Sequence, residues 1–193
     1  MSHNTLIHRA ARVLIKPLIH SPVSPNHLTT VRLLVGLGAS AALAMGEMNL
    51  GAGLFVLSMV LDRADGELAR LSGKGSPFGH KYDLIADGVC NTVLFMGLGI
   101  GLREGAFGFW SVPMGLLAGM AVASILWLVM RAEAREGERA AELGGGGAFD
   151  PDDGILAVPL AIWLGWETPL LAAAAVGATS FSLFFFWRFR NHL

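Results

Sequence analysis

The chain has 193 residues, of which 53% are hydrophobic and only 15% charged, with a formal net charge of −1. Soluble domains carry nearer a quarter charged residues, so the composition excludes an ordinary soluble enzyme and points to an all-α integral membrane protein. A single cysteine, Cys90, excludes an internal disulfide and a cysteine-based zinc site; within its apolar run it reads as a small buried residue.

In chain order, the segment Leu6 to Ile19 comes first. Arg9, Arg12 and Lys16 share one face, and Leu6, Ala10, Val13 and Leu14 lie nearer the other. That pattern suits an amphipathic helix in the membrane interface, against anionic headgroups. A cytoplasmic lead-in helix packed on the protein fits equally. Residues 1–22 are assigned to this element. They lack a long apolar core and a small-residue cleavage site, so no secretory signal is expected.

Six segments follow that are long enough, or nearly so, to cross a bilayer, which takes about 20 mainly apolar residues. The first runs from Asn26 to Gly46 and is opened by Ser24-Pro25, a serine cap with proline in the first turn. The second runs from Leu50 to Leu71, the third from Ser76-Pro77 to Leu102, and the fourth from Trp110 to Arg131. The fifth follows Asp150-Pro151 and ends near Trp166; the sixth runs from Pro169 to Trp187. Together they predict a single six-span domain over residues 25–190. The fifth is shortest and holds Pro159, which predicts a kink, and it needs tilt or a thin local bilayer to cross.

Of the 14 lysines and arginines, only Arg103 falls in a loop on the second side. The positive-inside rule then puts both termini in the cytoplasm. Trp110, Trp163, Trp166 and Trp187 lie near span ends, as interfacial anchors do. Gly97-x3-Gly101 and Gly115-x3-Gly119 allow close helix approach, within one chain or across a homodimer seam. Gly144 to Gly147 are four glycines in a row with no Lys-Ser/Thr after them, so no phosphate-binding loop is implied. Asp150, Asp152 and Asp153 read as the cap and first turn of the fifth helix. Arg131, Arg135 and Arg139 suit either an acceptor phosphate or lipid headgroups.

The densest chemistry joins the second and third spans, in Asp62-Arg63-Ala64-Asp65-Gly66-Glu67-Leu68-Ala69-Arg70 and Gly79-His80-Lys81-Tyr82-Asp83-Leu84-Ile85-Ala86-Asp87. Asp62 and Asp65 are three apart and share a helix face; Asp83 and Asp87 are four apart and share another. In a tight antiparallel hairpin the two faces converge. Four carboxylates in one pocket repel by several kcal/mol per close pair unless cations meet them. Oxygen ligands with no histidine or cysteine in the set favour Mg²⁺ or Mn²⁺, and a pair of ions suits a phosphoryl-type displacement. Gly66 and Ala69 leave space beside the carboxylates, and Arg70 can neutralise a diphosphate bidentately.

These residues resemble the signature of the CDP-alcohol phosphatidyltransferase family, Asp-x2-Asp-Gly-x2-Ala-Arg-x8-Gly-x3-Asp-x3-Asp. All eight fixed positions match: Asp62, Asp65, Gly66, Ala69, Arg70, Gly79, Asp83 and Asp87. Pro25-Asn26-His27-Leu28-Thr29-Thr30-Val31-Arg32 is similar to the family's approach to its first span. The resemblance implies metal-dependent transfer of a phosphatidyl or other phospho-alcohol group from a CDP-linked donor to an alcohol, with release of CMP. It implies that Asp62, Asp65 and Asp83 bind metal, and that Asp87 deprotonates the acceptor hydroxyl and joins the metal ligands. It further implies that Gly66, Ala69 and Gly79 make room for the nucleotide, that Arg70 holds its phosphate, and that Asn26 and Thr29 line its pocket. A homodimer in a bacterial inner membrane, with the site facing the cytoplasm and no nucleic-acid partner, completes the expectation. Two other classes also use such acids: an intramembrane prenyltransferase binding a magnesium diphosphate, and a cation transporter. The first usually needs two motifs far apart, the second acids near mid-span.

Overall fold

The computed structural model describes residues 15–19, 21–136 and 151–189. Among them run a 3-10 turn at Lys16–Leu18 and six α-helices. We number these α1 (Pro25–Ala44), α2 (Met48–Ser72), α3 (Pro77–Gly101), α4 (Ser111–Glu136), α5 (Pro151–Trp163) and α6 (Glu167–Phe189). The chain is an all-helical membrane protein. By length and composition α1, α3, α6 and the stretch Gly108–Leu128 leading through α4 can each cross a bilayer. The other two helices depart from that pattern for separate reasons. α2 carries the acidic motif in its second half. α5 has 13 residues, about 20 Å of helix against a hydrocarbon core of about 30 Å.

Local sequence explains the helix ends. Ser24 precedes Pro25, and its backbone N–H donates to Nδ1 of His27 at 3.2 Å, which serves one of the groups that a helix start leaves over. α2 stops at Gly73, which adopts φ +67°, a left-handed turn that favours glycine. α3 restarts three residues later: Ser76 caps it, its Oγ accepting from the Gly79 N–H at 3.0 Å, with Pro77 in the first turn. The α2–α3 loop is therefore short, yet the expected tight hairpin does not form: both helices pack on α1 and hardly on each other, and the acidic faces meet beside α1, where Arg32 bonds to both. α5 ends at Trp163, short of the predicted Trp166, because the chain turns through Gly165 at φ +72°.

α1 packs against α2 and α3, α3 against α4, α4 against α6, and α2 against α5. One core gathers Ala39, Leu43, Ala52, Phe55, Leu94 and Leu98. A second joins Ile15 to Leu28, Leu61, Ala64 and Leu68, so the described end of the N-terminal segment docks on the bundle. Arg9, Arg12 and the proposed interfacial face lie outside the described residues, as do Asp150, Arg139 and the four-glycine run. Leu34, Met120, Val176, Leu183 and Phe184 all point outward and are exposed. An apolar shell of that extent suits lipid, not water. Trp110, Trp163, Trp166 and Trp187 are exposed near helix ends. Arg131 stacks over Trp127, 5.1 Å from the ring centroid.

The glycine stripes pack within the chain. A Cβ on Gly99 would lie 2.9 Å from the Gly115 Cα, and the reverse is equally close. Gly119 presses on the Thr92 carbonyl, while Gly97 and Gly101 press on Ser40 and Leu43 of α1. Both Gly-x3-Gly faces are thus spent on the α1–α3–α4 contacts, where backbone-to-backbone approach supplies the dispersion that holds helices together in lipid.

Candidate metal centre and adjoining cleft

The predicted carboxylates meet toward the loop that joins α2 to α3. Asp62, Asp65 and Asp83 each offer an oxygen, and the three oxygens lie within 4.8 Å of one another. Asp65 is buried, and Asp62 and Asp83 are half-buried. All the donors are carboxylate oxygens, the set that hard divalent cations prefer over zinc. The residues present therefore fit such an ion. Asp87, one turn beyond Asp83, stands outside this group of three. It joins the site through its neighbours: Oδ1 accepts from Asn91 Nδ2 at 3.3 Å and from an Arg32 nitrogen at 3.3 Å.

Arg32 is the residue that motif reasoning left out. It comes from α1, and its side chain is only 2% exposed. Nη1 donates to Asp62 Oδ1 as well as to Asp87. Nη2 donates to Asp83 Oδ1 at 2.9 Å and to the Asp83 carbonyl at 2.8 Å. Nε lies 4.0 Å from Asp65 Oδ2, an ion pair beyond hydrogen-bond reach. The signal was present: one arginine inside an apolar span is a functional residue by default. Its partners were hidden, because they lie between 30 and 55 residues away.

Beside the carboxylates opens a cleft of about 170 Å³ lined by Asn26, Thr29, Asp65, Gly66, Ala69, Lys74, Ser76, Gly79, His80 and Asp83, among others. Five of the six residues expected at a nucleotide (Asn26, Thr29, Gly66, Ala69 and Gly79) come together here. Gly66 leaves space, since a Cβ there meets nothing within 4 Å. Gly79 is small for a different reason: a Cβ would lie 2.9 Å from Asn26 Oδ1. The sixth residue, Arg70, is not among the residues that line the cleft. It is about half exposed and pairs with the buried Glu67 at 2.9 Å. His80 and Lys74, which are outside the expected nucleotide-binding set, also line the cleft. The Lys74 ammonium donates to the Ser21 carbonyl at 2.8 Å, which ties the α2–α3 loop to the segment before α1.

The sequence profile of the CDP-alcohol phosphatidyltransferases matches residues 22–186, from before α1 almost to the end of α6. The chain belongs to the CDP-alcohol phosphatidyltransferase family. That membership sets it apart from the prenyltransferase and transporter alternatives. Among similar proteins, the bifunctional IPC transferase and DIPP synthase of Rubrobacter xylanophilus is 31% identical over 84 residues, which is 44% of this chain and 19% of that one. The archaetidylinositol phosphate synthase of Pyrococcus horikoshii is 31% identical over 86 residues, 45% of this chain and 46% of that one. In both cases the match spans less than half of the relative's length. The crystal structure of phosphatidylinositol phosphate synthase from Mycobacterium tuberculosis superposes with a TM-score of 0.59 at 23% identity, covering 93% of this chain and 95% of that one. This CDP-alcohol phosphatidyltransferase thus shares its fold over nearly its whole length.

Proposed function

We propose that this CDP-alcohol phosphatidyltransferase moves a phospho-alcohol group from a CDP-linked lipid such as CDP-diacylglycerol to an alcohol, releasing CMP. One observation carries the reading: Asp65 and Asp83 belong both to the three-carboxylate cluster and to the lining of the cleft. A nucleotide seated against Gly66, Ala69 and Gly79 would therefore place its diphosphate at the carboxylates.

Asp62, Asp65 and Asp83 would hold divalent ions, Mg²⁺ or Mn²⁺ and two in number, with Asp87 as a further ligand. Bound there, such ions supply charge stabilisation to a diphosphate under attack. The chain's own residues do the rest. Asn26, Thr29 and the small residues shape the nucleotide pocket. Arg70 holds a donor phosphate; a guanidinium has five N–H donors, so the pair with Glu67 does not exhaust it. Asp87 takes the proton from the acceptor hydroxyl. The hydroxyl oxygen bonds to the lipid-side phosphorus, and the bond from that phosphorus to the CMP oxygen breaks.

The donor has a lipid end and a nucleotide end, so its diphosphate belongs at the membrane surface. The proposed setting is a bacterial inner membrane crossed six times, with the site and both termini cytoplasmic and two copies per assembly. The Pyrococcus relative's name makes an inositol phosphate the first acceptor to try. The test is CMP release by purified protein from CDP-diacylglycerol, with Mn²⁺ or Mg²⁺ and a panel of alcohols. Release that needs both a metal and one particular acceptor is expected. No CMP from any CDP-alcohol would overturn the reading.

A further inference from the structure

We propose that Arg32 is a positioning residue for the metal centre: its buried guanidinium is a fixed cationic post that holds the carboxylates of α2 and α3 in the arrangement a divalent ion requires. The inference rests on reading Asp62, Asp65 and Asp83 as metal ligands, and it assigns a role to a residue outside the signature.

The geometry is directional. Arg32 is 2% exposed, whereas Asp62 is 29%, Asp83 38% and Asp87 46% exposed. The guanidinium thus lies beneath Asp62, Asp83 and Asp87, which open outward above it, while Asp65 at 3% is buried beside it. Its bonds to these side chains go to single oxygens, Oδ1 of Asp62, Asp83 and Asp87. A carboxylate has two oxygens and about four acceptor sites, so these bonds leave capacity for a cation. The post itself is braced: Ser58 Oγ donates to the Arg32 carbonyl at 3.1 Å, which fixes the α1 backbone at that turn.

The chemistry suits a positioning role better than a packing one. A buried charge is costly and weak evidence for stability. A planar fork holds its five N–H donors in a fixed geometry, whereas a lysine ammonium carries three on a flexible stem. Arg32 also links three helices, so a single side chain sets the distance of α3 from α2 at the site. Partners that orient metal ligands in this way typically change metal affinity by 10–100-fold when they are removed.

A purely structural pin would use the same bonds, so the experiment reads the metal directly. Full-length wild type, Arg32→Gln and Arg32→Lys are titrated with Mn²⁺ in detergent below their unfolding temperatures, with free Mn²⁺ followed by its EPR signal. Arg32→Gln is expected to bind Mn²⁺ about 10–100-fold more weakly. Arg32→Lys, which keeps the charge but loses the fork, is expected to fall between the two. A folded Arg32→Gln that binds Mn²⁺ as tightly as wild type, or more tightly, overturns the proposal. If Arg32→Gln does not fold, Arg32→Lys decides by the same titration, and wild-type affinity there overturns it. A wild type that takes up no Mn²⁺ overturns the metal reading itself, and this inference with it.

Discussion

The Thr29 hydroxyl donates a 2.8 Å hydrogen bond to Oδ2 of Asp65, joining α1 to α2 between two buried side chains. The Pro25 carbonyl lies 3.2 Å from the same hydroxyl, but one proton serves one acceptor well, and the carboxylate is nearer. Thr29 thus belongs to the cleft by its position and to the metal centre by its bond. Thr29→Val keeps the shape and removes the donor. It leaves a buried carboxylate short of a partner, at a cost of about 1–3 kcal/mol. The expected outcome is a lower melting temperature and weaker Mn²⁺ uptake, both restored by Thr29→Ser. Equal Mn²⁺ affinity in Val and Ser variants would show that Asp65 does not depend on this bond.

Gly66 separates function from stability. A Cβ there meets no protein atom within 4 Å, and alanine favours a helix over glycine by about 1 kcal/mol. Gly66→Ala should therefore melt no lower than wild type. The methyl group would instead fill part of the cleft. A misfit of about 1–2 kcal/mol corresponds to a rise of roughly five- to thirtyfold in KM for the CDP donor. Steady-state kinetics at saturating acceptor check this. An unchanged donor KM would remove Gly66 from the donor site.

The carboxylate cluster was legible in the sequence because helical spacing is rigid: residues three or four apart share a face, and a short loop keeps the two acidic helix ends near each other; that α1 packs between them and draws the faces together was not. The cleft residues were legible through the family signature. Arg32 was visible as a charge out of place, yet nothing local to α1 says which acids it meets, since that depends on how α1 lies against α2 and α3. Arg70, in the same motif, is not among the residues that line the cleft and pairs with Glu67, three residues back, a local contact that the signature does not announce. The small-residue stripes announced close approach without naming the neighbour; only the packing of α3 between α1 and α4 assigns it.

Gly115 tests that assignment. A Cβ at this position would lie 2.9 Å from the Gly99 Cα and would press on the Phe95 carbonyl. Neither obstacle is a flexible side-chain end. Gly115→Val should cost about 1–3 kcal/mol or more by overpacking, seen as a lower melting temperature in detergent with the particle mass unchanged. A changed mass at an unchanged melting temperature would instead make this face a seam between copies.

Asp87→Asn addresses the chemistry itself. The substitution keeps the size of the side chain and leaves an amide oxygen to accept from Arg32 and Asn91, so the fold should persist. It removes the ability to take a proton. If Asp87 is the base, kcat should drop by about 10²–10⁴-fold, with donor binding largely retained. Asp62→Asn should behave differently. Asp62 lies in the three-oxygen group and Asp87 does not, so its loss should appear first as a raised Mn²⁺ requirement, partly overcome at high metal. Titrating Mn²⁺ against rate for both variants distinguishes the two roles. A Asp87→Asn enzyme whose rate recovers at high Mn²⁺ would make Asp87 a ligand first, and the base would have to be sought elsewhere.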